Sequence, residues 1–116
     1  MTWNDSGDKF EQMWNINQDP MKVPYIGPYC NEKEGHMYMH VYNLKTHRGG
    51  LWLWCSACKQ FFHSSVYVPT WWSNLPIVDE NQLSAFPQYL DALSTRIDKH
   101  INQLISNKKH LVLPAK

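Results

Sequence analysis

Polar and apolar side chains alternate through residues 36–42, which read His-Met-Tyr-Met-His-Val-Tyr. A period of two belongs to a strand, with His36, Tyr38, His40 and Tyr42 on one face and Met37, Met39 and Val41 on the other. Residues 43–50 read as a turn, with Lys45, His47 and Arg48 exposed and the pair Gly49-Gly50 able to take positive φ. The return strand, residues 51–55, sends Leu51, Leu53 and Cys55 one way and Trp52 and Trp54 the other. Both of its faces are apolar, which predicts a strand covered on both sides, or on one side by a partner. A third strand, residues 60–68, ends at Pro69. The expectation is a small three-stranded antiparallel meander.

A different period flanks it. From about Gln88, Leu90, Leu93, Ile97, Ile101 and Leu104 recur at spacings of three and four and predict a long C-terminal helix. Pro87 suits a first helical position, and Lys108, Lys109 and His110 suit the negative end of the dipole. Asp91, Arg96, Asp98 and Lys99 fall off the stripe and read as a solvated face. Near the start, Phe10, Met13 and Trp14 predict a short N-terminal helix around residues 8–16, with Ser6 or Asp5 as N-cap. Pro20, Pro24 and Pro28 then keep the chain extended. Residues 71–76 form an aromatic-rich loop, and residues 111–114 read as an edge strand or a frayed end. The fold class is α+β, in one domain spanning residues 1–116.

Composition narrows the function. The 116 residues carry a net charge of +1, so no strong pull toward nucleic acid or anionic lipid is visible. No run approaches the roughly 20 apolar residues of a membrane span, and the first residues do not resemble a signal peptide. Three cysteines, two closely spaced, fit a reducing compartment and a metal site better than a disulfide framework, so a cytoplasmic address is expected. Six tryptophans are hard to bury fully in so short a chain, which suggests an aromatic surface for a partner.

The candidate chemistry is a metal site. In Cys55-Ser56-Ala57-Cys58 one tight turn can aim two sulfurs at a single ion, and Cys30 supplies a third. Zinc prefers four ligands, and the residue three before Cys30 is Gly27, which has no donor. His36, His40 and His63 are the candidates for the fourth, with His36 favoured because its strand starts close to the Cys30 turn. The competing reading makes the cysteines ordinary buried residues without metal. A redox role fits less well, because the residues after Cys58 read as strand where a thioredoxin-like motif opens a helix. No general acid or base is placed by motif beside the cysteines, so an enzyme is not expected.

Taken together, Pro28-Tyr29-Cys30-Asn31-Glu32, residues 36–42, the run from Arg48 to Cys58 and Val68-Pro69-Thr70-Trp71-Trp72 resemble a group of small bacterial zinc-ribbon-like proteins. These are immunity proteins of polymorphic toxin systems, including contact-dependent growth inhibition. The likeness covers about residues 27–72 and departs at Gly27, where the group would carry a first cysteine. It implies a three-stranded zinc-ribbon-like sheet and a protein that binds and blocks one cognate toxin domain. Trp54, Trp71, Trp72 and Tyr42 are the candidate anchors, with Asp79 and Glu80 as charge partners. Each tryptophan taken singly also fits core packing. The alternative is a nucleic-acid-binding zinc ribbon using Lys45, His47, Arg48 and Lys59, with Trp52 and Trp54 as stacking platforms.

Overall fold

A computed structural model of the chain describes residues 3–5, 23–25 and 30–112, the last six by backbone alone. Among these residues four strands form one sheet: β1 (Asn4–Asp5), β2 (Gly35–Asn43), β3 (Arg48–Cys55) and β4 (Gln60–Tyr67), in the order β1-β4-β3-β2. The helices α1 (Gln88–Ala92) and α2 (Ser94–Val112) follow. The fold is α+β.

Strands β2, β3 and β4 make the expected antiparallel meander. The sheet is nevertheless four-stranded and mixed, because β1 lies parallel to β4, with the Asn4 N–H donating to the Lys59 carbonyl at 2.8 Å. Two polar residues carry no alternation, so the pattern gave no sign of this strand. The short helix expected around residues 8–16 lies outside the described residues. The single long helix expected from Gln88 is divided at Leu93, whose N–H reaches back to the Leu90 carbonyl at 3.0 Å in a tightened turn. Pro87 is the N-cap of α1 rather than its first helical residue. Leu111 and Val112 close α2 instead of adding an edge strand.

Register fixes the two faces. Trp54 pairs with His36 and Phe61, Trp52 with Tyr38 and His63, and Gly50 with His40 and Ser65. Because neighbours across a sheet point the same way, these side chains share one face. The helical half of the chain covers most of it. Trp52 Nε1 donates to the Ser84 carbonyl at 2.7 Å, and Leu90, Ile97 and Ile101 are buried in the same core as the sheet. Met37, Met39, Leu51, Leu53 and Cys55 lie on the opposite face and are also buried. Strand β3 is therefore covered on both sides.

Asp91 and Asp98 depart from the solvated face expected of them. Asp98 accepts from His36 Nδ1 at 2.9 Å, and Asp91 accepts from Trp54 Nε1 at 3.1 Å and from the Ser56 hydroxyl. Asp91 on α1 and Asp98 on α2 thus both reach polar atoms of the sheet, one from each side of the break at Leu93. The free edge of β2 is blocked at both ends. Tyr25 exchanges two backbone bonds with Gly35, and the Asn74 amide bonds both the N–H and the carbonyl of Val41, at 2.8 and 3.1 Å.

Neither Gly49 nor Gly50 takes the positive φ that the sequence permits. Their role is close approach. A Cβ on Gly49 would strike the carbonyl oxygen of His40 on the paired strand, whereas one on Gly50 would meet the Trp52 ring at 3.0 Å. Gly49→Ala is expected to cost about 1–3 kcal/mol, the usual range for forced overpacking, and Gly50→Ala less, because a side chain can yield where a backbone cannot. Urea unfolding of the two variants, compared at equal slope, checks the order.

Candidate metal centre

Cys55 is the last residue of β3, and the meander itself builds the turn that follows. The Ser56 N–H donates to the Glu34 carbonyl at 3.0 Å, extending the β2–β3 pairing one step beyond the strand. The Lys59 N–H then closes the turn on the Cys55 carbonyl at 3.0 Å, with Lys59 in the left-handed region at φ 61°. Cys30 is followed by Asn31 at φ 60°, so the same hand of residue follows the cysteine in both turns. Left-handed backbone redirects the chain sharply at both turns.

The three sulfurs lie within 4.8 Å of one another, and Cys30 Sγ is 3.5 Å from Cys55 Sγ. Tetrahedral zinc with bonds of about 2.3 Å would set its sulfurs about 3.8 Å apart, so little adjustment would bring the trio onto one ion. The three cysteines stand close enough to hold a metal. Their surroundings differ. The backbone N–H of Glu32 bonds the Cys30 sulfur and lowers its pKa, the leading influence on that thiol. Burial pushes Cys55 up to about 12, against the N–H groups of Cys58 and Ala57, which favour its thiolate. A buried thiol ringed by amide donors needs a cation to become a thiolate.

The histidines stand elsewhere. Gly35 pairs with Cys55, so His36, one residue on, points to the opposite face and meets Trp54, with ring centres 5.6 Å apart, and Asp98. His40 takes the Tyr38 hydroxyl on Nδ1 at 3.0 Å and Glu80 on Nε2 at 3.1 Å. His63 donates from Nδ1 to the Leu51 carbonyl at 3.2 Å and stacks on Trp52. Among the described residues, none of these histidines joins the three sulfurs. Parity carried the missing signal: adjacent residues of a strand face opposite ways, so Gly35 opposite Cys55 excludes His36 from the cysteine face.

The candidate partner residues also separate. Trp54 and Trp72 are buried, and among the described residues the Trp72 indole N–H has no partner. Trp71 is half-buried, edge-on to Trp72 at 6.1 Å. Asp79 is exposed and caps a 3-10 turn at Glu80–Gln82 by accepting from the Asn81 N–H. Tyr42 and Glu80 come together across His40, whose ring lies 5.1 Å from that of Tyr42. Lys59, proposed for a phosphate surface, sits over the Trp3 ring at 4.6 Å and 3.6 Å from Asp91.

Sequence reasoning missed Asp91, which joins Trp54, Ser56 and Lys59 and so braces the Cys55–Cys58 turn from behind. No family model, curated protein or solved structure matches the chain. Asp91→Ala leaves the Trp54 indole and the Ser56 hydroxyl without their acceptor, an expected loss of about 1–3 kcal/mol. The shift in the urea midpoint measures it.

Proposed function

We propose that the protein is a zinc-stabilised binding module of the immunity type, which holds one cognate toxin domain by direct contact in the cytoplasm and performs no chemistry of its own. The observation that carries this reading is a strip of exposed side chains at the hairpin end of the sheet. Tyr42 is 52% exposed, Leu44 80% and Tyr67 66%. Arg48 lies between the tyrosines, paired in register near Asn43 and opposite Tyr67, with its guanidinium 4.8 Å over the Tyr67 ring. Tyrosine and arginine are among the residues enriched where binding energy concentrates at protein interfaces. This strip replaces Trp54 and Trp72 as the anchoring surface.

Two further observations support a binder. The five histidines with described side chains each give a ring nitrogen to a protein partner, three of them to backbone carbonyls. No described helix is long and apolar enough to cross a membrane. The nucleic-acid alternative loses support, since Trp52 and Trp54 are buried and offer no face for base stacking.

Zinc is assigned to Cys30, Cys55 and Cys58, where it would tie the Cys30 segment to the end of β3. Purified protein is expected to carry one equivalent, and a chelator or Cys58→Ser is expected to remove it and lower the melting temperature. His36→Ala should destabilise without changing the metal content. Metal-free protein indifferent to chelator overturns the zinc assignment, and metal lost with His36→Ala overturns the ligand set. The partner reading is tested by expressing a toxin domain encoded beside this gene with and without the protein. Protection of growth is expected, and Tyr42→Ala with Tyr67→Ala should weaken the complex roughly tenfold or more. No protection by the wild-type chain sinks the immunity reading.

A further inference from the structure

The helical half of the chain leaves one end of the sheet uncovered, and there the surface falls into a shallow hollow. Tyr42, Arg48, Gly49, Gly50, His63 and Ser65 line it, around a volume of about 250 Å³. Its floor is low because Gly50, on the same face as His63, carries no side chain. A Cβ on Gly50 would already lie 3.4 Å from the His63 ring, so the open floor depends on glycine. The other four lining residues, Tyr42, Arg48, His63 and Ser65, all carry polar side chains.

Those side chains have chemistry to spare. His63 spends Nδ1 on the Leu51 carbonyl, which leaves Nε2 without a partner among the described residues. The Arg48 guanidinium lies over the Tyr67 ring and meets no carboxylate among the described residues. The Tyr42 hydroxyl is a donor at neutral pH, as for any phenol, and burial together with the Glu80 charge raises its pKa further. Glu80 itself is engaged by His40. Arginine, tyrosine and serine together present donors around a floor that offers no competing side chain, an arrangement that receives an oxyanion.

We propose that this hollow is the specificity pocket of the binding surface, and that it receives a carboxylate side chain presented by the protein partner, with Arg48 as its counter-ion. The inference rests on the binding reading above and adds the chemistry of what is bound. A carboxylate from a protein fits the surroundings better than a nucleic-acid phosphate. Leu44 and Tyr67 beside it supply apolar contact area, no tryptophan among the described residues is fully exposed to stack a base, and the chain's net charge is only +1. An arginine resting over a tyrosine ring can still offer its guanidinium edge for two parallel bonds to one carboxylate.

The test uses the isolated full-length chain and needs no toxin. The ¹⁵N-labelled protein is titrated with a blocked peptide, Ac-Ala-Leu-Glu-Leu-Ala-amide, and with the same peptide carrying Gln in place of Glu. Saturable shifts at the Gly49, Gly50 and Ser65 amides are expected with the Glu peptide, and roughly tenfold weaker binding with the Gln peptide, the loss of one charge-assisted contact. Arg48→Met is expected to abolish the response. Ser65→Asp, an exposed strand position, should do the same by placing a carboxylate in the hollow, and an unchanged spectrum elsewhere shows either variant to be folded. Equal binding of the two peptides overturns the proposal, as does absence of any shift. Tighter binding of inorganic phosphate or a single-stranded oligonucleotide at the same amides overturns it in favour of a phosphate site. Peptide binding without growth protection would leave the pocket standing and remove only the immunity reading.

Discussion

Strand β3 must be satisfied on both faces and both edges at once. Its edges pair with β2 and β4, and its side chains alternate between the Trp52–Trp54 face and the Leu51–Leu53–Cys55 face, all of them buried. A central strand of this kind tolerates no slip, since a shift of one residue would exchange every side chain between the faces. The rest of the described fold follows from that constraint. The indoles need hydrogen-bond partners once they are buried, and Ser84 and Asp91 provide them from the helical half of the chain. Cys55 needs a polar setting at the strand's end, and the turn amides provide it.

Much of this was legible in the sequence, and the misses have physical causes. The alternation from His36 to Tyr42 and from Leu51 to Cys55 marked two strands and their faces, and residues 60–68, ended by Pro69, marked the third. Leu90, Ile97 and Ile101 likewise announced a buried stripe. β1 was invisible because a parallel edge of two residues is held by backbone bonds and neighbours remote in sequence. Leu93 was read as a continuous part of the stripe, although the helix breaks there, since a tightened turn needs no glycine or proline to mark it.

The site was legible in part. Proximity of Cys30 to Cys55 and Cys58 was expected from the spacing of the turns, and the structure gathers the three sulfurs. The favoured histidine was chosen by nearness along the chain, a criterion that ignores which way a strand residue points. The tryptophans misled for a related reason. Their number suggested a surface, but two of the four in the central cluster fill the sheet's covered face and a third, Trp72, packs edge-on against Tyr38 at 5.6 Å. Of the two exposed tyrosines of the strip, Tyr42 was among the expected anchors, whereas strand alternation did not distinguish Tyr67 from core.

The parallel pairing of β1 has a consequence for how the molecule is made. In synthesis Asn4 and Asp5 emerge first, yet their partner β4 follows only after the entire meander has been produced. Contacts between such distant segments are entropically the slowest to form. The β2–β3 and β3–β4 hairpins can close as they appear, while the end of β4 at Gln60–Phe61 waits for its parallel partner. The nascent chain thus passes through a stage in which a finished three-stranded sheet leaves that end of its edge bare, a vulnerable interval for association with other chains.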